Sequence, residues 1–143
     1  MDSRLMPESC VFCAIVRGDE PAHEVLRDDV AIAFLDRRPV FPGHVLVATH
    51  GHVPTLTDLA PAAIAPLFQR VQRIARAVQD GMEAHGTFVA MNNTVSQSVP
   101  HLHVHVVPRR RKDGLRGFFW PRTRYADDAE MAAIASRIAS ALQ

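Results

Sequence analysis

At 143 residues, with 48% apolar side chains, the chain has the size of one domain with a real core and leaves no room for a second. Sixteen Lys and Arg against fifteen Asp and Glu give a formal charge of +1, so the molecule as a whole has no electrostatic reason to seek nucleic acid or an anionic membrane, and any phosphate affinity has to be local. The first residues lack the basic and apolar regions of a signal peptide, and no apolar run approaches the ~20 residues that span a bilayer, so the sequence reads as a soluble, cytoplasmic protein.

The two cysteines, Cys10 and Cys13, stand as Cys-Val-Phe-Cys, which in a reducing compartment suggests a metal clip or a redox pair before a structural disulfide. Residues 24–27 and 30–35 are β-prone and flank Asp28-Asp29, the pattern of a hairpin. Pro39, Pro42 and Gly43 then break regular structure and deliver His44 to the start of a third strand over 44–48. From Ile64 to Val78 the apolar residues Ile64, Leu67, Phe68, Val71, Ile74 and Val78 keep helical spacing, with Thr57 or Asp58 as cap, Pro61 in the first turn and Gly81 as the stop. Strands over 87–91 and 102–107 follow, the last ended by Pro108. Met131, Ile134, Ile138 and Leu142 mark a second helix capped by Asp127 or Asp128. This order predicts an α+β domain: a mainly antiparallel five-stranded sheet, one long central helix and a C-terminal helix.

The most informative segment is His101-Leu102-His103-Val104-His105-Val106-Val107. Side chains alternate along a strand, so the three imidazoles share one face, ~6.5–7 Å apart, while Leu102, Val104 and Val106 point to the core. A slip of one residue would bury every histidine, which pins the register. Imidazole can attack phosphorus, donate a proton to a leaving group, or hold one tautomer through its second nitrogen, all near neutral pH. The alternatives at this level are a polar outer face that happens to be histidine and a His-x-His metal site.

His-φ-His-φ-His-φ-φ, with φ apolar, resembles the signature of the histidine triad superfamily. The resemblance extends to Cys-Val-Phe-Cys-Ala-Ile-Val at 10–16, Ala-Phe-Leu-Asp at 33–36, Pro-Gly-His-Val-Leu-Val at 42–47, His52-Val53 and Gln97-Ser98-Val99. It runs over roughly residues 8–110 within one domain of 1–143, leaving 111–143 as a C-terminal segment at an interface or the active site. It implies nucleophilic attack by His103 on a nucleotide α-phosphorus, with His105, Ser98, Gln97 and the additional histidine His44 assisting. Asp36 would take the ribose hydroxyls, Phe12 and Ile15 would line the base pocket, and Asn92 or Asn93 would contact ribose or phosphate. A structural zinc ion would sit on Cys10, Cys13, His52 and His101, a closed set with no position for a water nucleophile.

The leading expectation is therefore a hydrolase of nucleoside phosphoramidates, adenylates or dinucleoside polyphosphates, with a purine base preferred. A non-catalytic nucleotide-binding module and a nucleotidyltransferase with an acceptor other than water are the alternatives. An unprotonated His103 beside a protonated neighbour predicts a bell-shaped pH profile. Arg109-Arg110-Arg111-Lys112 reads as a solvated turn, or as a guide for a polyphosphate tail, rather than as a nucleic-acid patch. Phe118, Phe119 and Trp120 mark an interface or a ligand contact, and the resemblance implies a homodimer in which this segment closes over the site. His23, His50 and His85 are read as surface residues.

Overall fold

The computed structural model describes Pro7 and residues 9–116 and 121–142. It divides into a compact unit over Met1–Asp113 and a second over Gly114–Gln143. In the first, strands β1 (Glu24–Arg27), β2 (Ala31–Leu35), β3 (Val45–Thr49), β4 (Gly86–Ala90) and β5 (His103–Arg109) form one antiparallel sheet in the order β1-β2-β3-β5-β4. The chain contains helix α1 (Val11–Arg17), helix α2 (Pro61–Gly81) and, in the second unit, helix α3 (Asp128–Ala141). Among the described residues no helix is long and apolar enough to cross a membrane.

Strand alternation divides the sheet into two faces. Ala31 and Ala33, Val45 and Val47, Val104 and Val106 join Leu67, Val71, Ile74 and Val78 of α2 in the main core. Ile32 and Phe34, Leu46 and Ala48 point the other way and pack with Phe12, Cys13, Ile15 and Val16 of α1. His103 and His105 pair across from Ala48 and Leu46, so the imidazole face is the one α1 covers. Pro66 lies inside α2, where it removes one backbone bond, and the helix is held on the sheet by its buried Leu67, Val71, Ile74 and Val78.

Three sequence expectations change in detail. The expected caps Thr57 and Asp58 belong instead to a short 3₁₀ turn, Leu56–Asp58, where the Asp58 carboxylate accepts from Thr55 N–H at 3.1 Å; α2 begins at Pro61 after an uncapped Ala60. Pro108 lies inside β5 rather than after it, paired with Thr87. Pairing with β3 has ended at Val106, so at Pro108 the strand has a neighbour on one side only and the missing N–H is tolerated. Helix α1 was not expected; Gly18 in the left-handed region (φ 86°) closes it, and the Arg27 guanidinium donates to the Ile15 and Val16 carbonyls at 2.9 Å each. Asp127 caps α3, as expected, by accepting from Glu130 N–H at 2.8 Å.

Candidate functional site

Helix α1 is capped by Cys10, whose Sγ accepts from Cys13 N–H, so the first turn aims both sulfurs at the segment that leads into β5. They meet His52 and His101 there: Cys10 Sγ lies 3.4 Å from His101 Nδ1, Cys13 Sγ 3.3 Å from His52 Nδ1 and 3.5 Å from His101 Nδ1, and the two Nδ1 atoms are 3.3 Å apart. A tetrahedral zinc with Zn–S ~2.3 Å and Zn–N ~2.0–2.1 Å requires S···N edges of about 3.6 Å and an N···N edge of about 3.3 Å. The residues present therefore fit the ion. His101 Nε2 donates to the Thr49 carbonyl at 2.7 Å, which leaves Nδ1 bare toward the sulfurs, as a metal ligand requires. Burial pushes the Cys13 thiol up to about 12 and drops His101 to about 4, both disfavouring charge where no cation compensates.

His103, at the start of β5, is buried, and its Nδ1 donates to the His101 carbonyl at 2.7 Å. In the neutral ring this leaves the Nε2 lone pair free. Phe12 stands edge-on to this imidazole, with ring centroids 4.9 Å apart. His44 Nε2 lies 3.0 Å from His105 Nδ1, while His44 Nδ1 accepts from Val40 N–H at 3.1 Å. Burial lowers His44, against the pull of Asp36; burial and the neighbouring His103 and His44 drop His105 to about 4. Both shifts run toward the neutral ring.

These groups open on a cavity of about 270 Å³ whose wall includes Phe12, Ile15, Asp36, Ser98, His103 and His105. Asp36 sits where the chain leaves β2; its Oδ1 accepts from Arg38 N–H at 2.9 Å and its Oδ2 is 3.7 Å from His44 Nε2. A larger groove of about 570 Å³, beside α2, carries His52, Val53, Leu59 and Leu67 but none of the triad, so the smaller cavity is the one that His103 and His105 line.

A family model described as the HIT domain matches residues 17–112. The chain belongs to the histidine triad family. An uncharacterised HIT-like protein of Mycobacterium tuberculosis is 43% identical over 108 residues, covering 74% of this chain and 75% of that protein. The crystal structure of a HIT family member from Bacillus subtilis superposes with a TM-score of 0.85 at 34% identity, covering 95% and 99% of the two chains. A zinc-bound histidine triad family protein from Mycobacterium smegmatis gives a TM-score of 0.71 at 39% identity, covering 94% and 98%. Relatives with named activities include an adenylylsulfatase of Arabidopsis thaliana (31% identical, covering 80% of this chain and 59% of that protein) and, from Schizosaccharomyces pombe, an adenosine 5'-monophosphoramidase (28%, 94% and 99%) and an asymmetrical bis(5'-nucleosyl)-tetraphosphatase (32%, 76% and 59%).

Within this triad protein the structure gathers most of the sequence-predicted residues and separates a few. Cys10, Cys13, His52 and His101 meet in one cluster; His103, His105, Ser98, Asp36, Phe12 and Ile15 share the cavity; His44 backs His105. Gln97 does not reach that cavity: its amide accepts from Thr94 N–H at 2.9 Å and donates to the Pro54 carbonyl at 2.6 Å. Asn92 bonds the Ser96 carbonyl and Asn93 accepts from Leu56 N–H, so both hold loops together rather than line the wall. The basic run closes the far end of β5, about 20 Å along the strand from His103, where Arg109 pairs with Asp113 and Arg110 bonds the Met82 carbonyl. His23, read as a surface residue, lines the cavity with Glu20 and Arg37; no spacing signal marks it, because the turn after α1 brings it there. The histidine face is also less open than a half-exposed strand: His101 is fully buried and His103 only 4% exposed. Phe118, Phe119 and Trp120 lie outside the described residues.

Proposed function

We propose that this chain hydrolyses adenine nucleotides at the α-phosphorus through a nucleotidyl-histidine formed on His103, the substrates drawn from phosphoramidates, adenylates and dinucleoside polyphosphates. The observation that carries this reading is the bond from His103 Nδ1 to the His101 carbonyl, which in the neutral ring leaves the Nε2 lone pair free, in a residue that lines a cavity together with Asp36 and Ser98. Nε2 attacks phosphorus, the bond to the leaving group breaks, and water then releases the nucleotide. His105 and Ser98 donate to the phosphoryl oxygens, where charge builds up. Asp36 keeps Oδ2 for the ribose hydroxyls, since the backbone of Arg38 occupies only Oδ1. Phe12 and Ile15 form the apolar wall for the base. Zinc on Cys10, Cys13, His52 and His101 ties the N-terminal segment to β5; with four protein ligands it takes no part in the chemistry. A cytoplasmic homodimer completes the proposal, checked by light scattering.

The test is a single turnover with adenosine phosphoramidate and, in parallel, a diadenosine polyphosphate and an acyl-adenylate, trapped for intact mass. A nucleotidyl adduct in the wild type that vanishes in His103→Ala is the expected result. AMP binding without an adduct from any of the three substrates would instead make the chain a nucleotide-binding module.

A further inference from the structure

Cys-Val-Phe-Cys reads as a metal clip or as a redox pair, and zinc accounts only for the first. Both thiols are free, and they are the only two in the chain, so a single intramolecular disulfide can form and no other. Their Sγ atoms lie within 4.8 Å of each other and of the ring nitrogens of His52 and His101. Cys10 caps α1 and its Sγ accepts from Cys13 N–H at 3.4 Å, so the first turn sets both sulfurs on one side of the helix. Residues three apart on such a turn have Cα atoms roughly 5 Å apart, inside the ~4.4–6.8 Å that a disulfide spans. The two thiols differ in access. Cys13 is fully buried, whereas Cys10 lines a pocket of about 280 Å³ together with Ser9, His52, Ser98 and Pro100. That is several times the ~30 Å³ share of a water molecule in the liquid, room enough for a small peroxide.

Resting on the function proposed above, we infer that Cys10 and Cys13 are a redox modification site, oxidised by hydrogen peroxide to a disulfide that takes both sulfurs from His52 and His101 and thereby loosens the hold on His103. In the first step the Cys10 sulfur gives an electron pair to one peroxide oxygen, the O–O bond breaks, and the other oxygen leaves as water with the thiol proton, so Cys10 becomes a sulfenic acid. Cys13 Sγ then attacks that sulfur, the S–O bond breaks, and the hydroxyl leaves as a second water with the Cys13 proton. The two thiols have lost two electrons and two protons and the peroxide has gained them; where the sulfurs start as zinc-bound thiolates, the two protons come from solvent. A disulfide sulfur has neither a proton for an imidazole nor a negative charge for a cation. His101 Nδ1, which lies 3.4 and 3.5 Å from the two sulfurs, then keeps only His52 as a partner, and His52 Nδ1 loses Cys13. The His101 ring is left to Thr49 and His52, and the carbonyl that accepts from His103 Nδ1 loses the anchor behind it.

The test is a titration of the zinc-loaded protein, labelled with ¹⁵N-histidine, with hydrogen peroxide. It is followed by denaturing intact mass, by a chromophoric zinc chelator and by long-range ¹H–¹⁵N correlation of the imidazoles. The expected result is the loss of two hydrogens, release of the bound zinc, and a change of His103 from the Nδ1-protonated tautomer to a mixture, all reversed by dithiothreitol with added zinc. In Cys13→Ser the mass is expected to rise by one oxygen instead, trapped on Cys10 by dimedone. With adenosine phosphoramidate, adduct formation on His103 is expected to slow at least about tenfold in the oxidised wild type and to recover on reduction. A treated wild type that keeps both thiols, or that gains oxygen on Cys10 without a disulfide, overturns the inference. So does a disulfide that leaves the His103 tautomer unchanged. The failure of the function itself reads differently: no adduct forms even in the reduced protein, while the mass and the His103 tautomer still report on the thiol pair.

Discussion

Gly43→Ala tests how the loop before β3 aims His44. Gly43 has φ +95°, a conformation that costs a residue with a Cβ about 1–3 kcal/mol. An added Cβ would also stand 2.6 Å from Met82 Cγ and 2.9 Å from Sδ. The first contribution belongs to the backbone, the second to a flexible side chain that can swing aside at ~0.5–1.5 kcal/mol for an off-rotamer torsion. The single variant is therefore expected to lose about 2–4 kcal/mol. In the double-mutant cycle with Met82→Ala, only the contact part is relieved, a coupling of about 1 kcal/mol. Urea unfolding of the four proteins at neutral pH measures both quantities. The reasoning is refuted if Gly43→Ala is as stable as the wild type, or if the two changes add with no coupling while the single loss exceeds about 3 kcal/mol. Because Val40 N–H and His44 N–H both bond within this loop, the variant is also expected to slow adduct formation.

Cys13→Ser should lower zinc affinity by at least the ~10–100-fold that loss of an outer-shell partner costs, read by competition with a chromophoric chelator; unchanged zinc content would remove Cys13 from the ligand set. Arg27→Ala should cost about 1–2 kcal/mol by uncapping the α1 carbonyls, and should weaken AMP binding as Phe12 and Ile15 loosen, measured by urea unfolding and calorimetry. His44 and His105 are held below their ordinary value near 6.5, His105 down to about 4, so the unfolded chain takes up more protons between those values. Their contribution to stability is accordingly full above pH 6.5 and is lost as pH falls toward 4. Urea midpoints at pH 7.5 and 5, compared with those of His105→Gln, are expected to show a smaller drop in the variant.

The periodic part of the fold was legible because burial writes it into the residue spacing. The stripe from Leu67 to Val78 and the alternation Leu102, Val104, Val106 are what packing α2 against β5 demands. Helix α1 escaped notice because its seven residues are too few for a stripe, and its cap is a cysteine whose motif reads first as a metal clip. In the site, His103 and His105 were fixed by one strand's geometry, while His101 stands in the segment just before that strand. Cys10, Cys13 and His52 were placed by resemblance, since no local pattern says that residue 52 lies against residue 101. Gln97, Asn92 and Asn93 went the other way: amides in a loop satisfy nearby backbone, and whether they face a ligand depends on turns that spacing does not encode. His23 and the tautomer of His44 likewise depend on contacts made only in the folded chain.

His101 joins the two halves of the site through different parts of one residue. Its ring lies in the thiol–imidazole cluster, with Nε2–H on Thr49 of β3, while its carbonyl holds Nδ1–H of His103. Rotation of the peptide after His101 would release His103 Nδ1 and let the proton move to Nε2, removing the lone pair that the chemistry needs. Thr49 holds the ring on one side and Cys10, Cys13 and His52 hold it on the other, so the residue has little freedom to turn. In the mechanism proposed above, the buried cluster thus acts on His103 by fixing a backbone carbonyl. For that reason disruption of the cluster should slow formation of the adduct, and because Phe12 and Ile15 share helix α1 with Cys13, nucleotide affinity should fall with it.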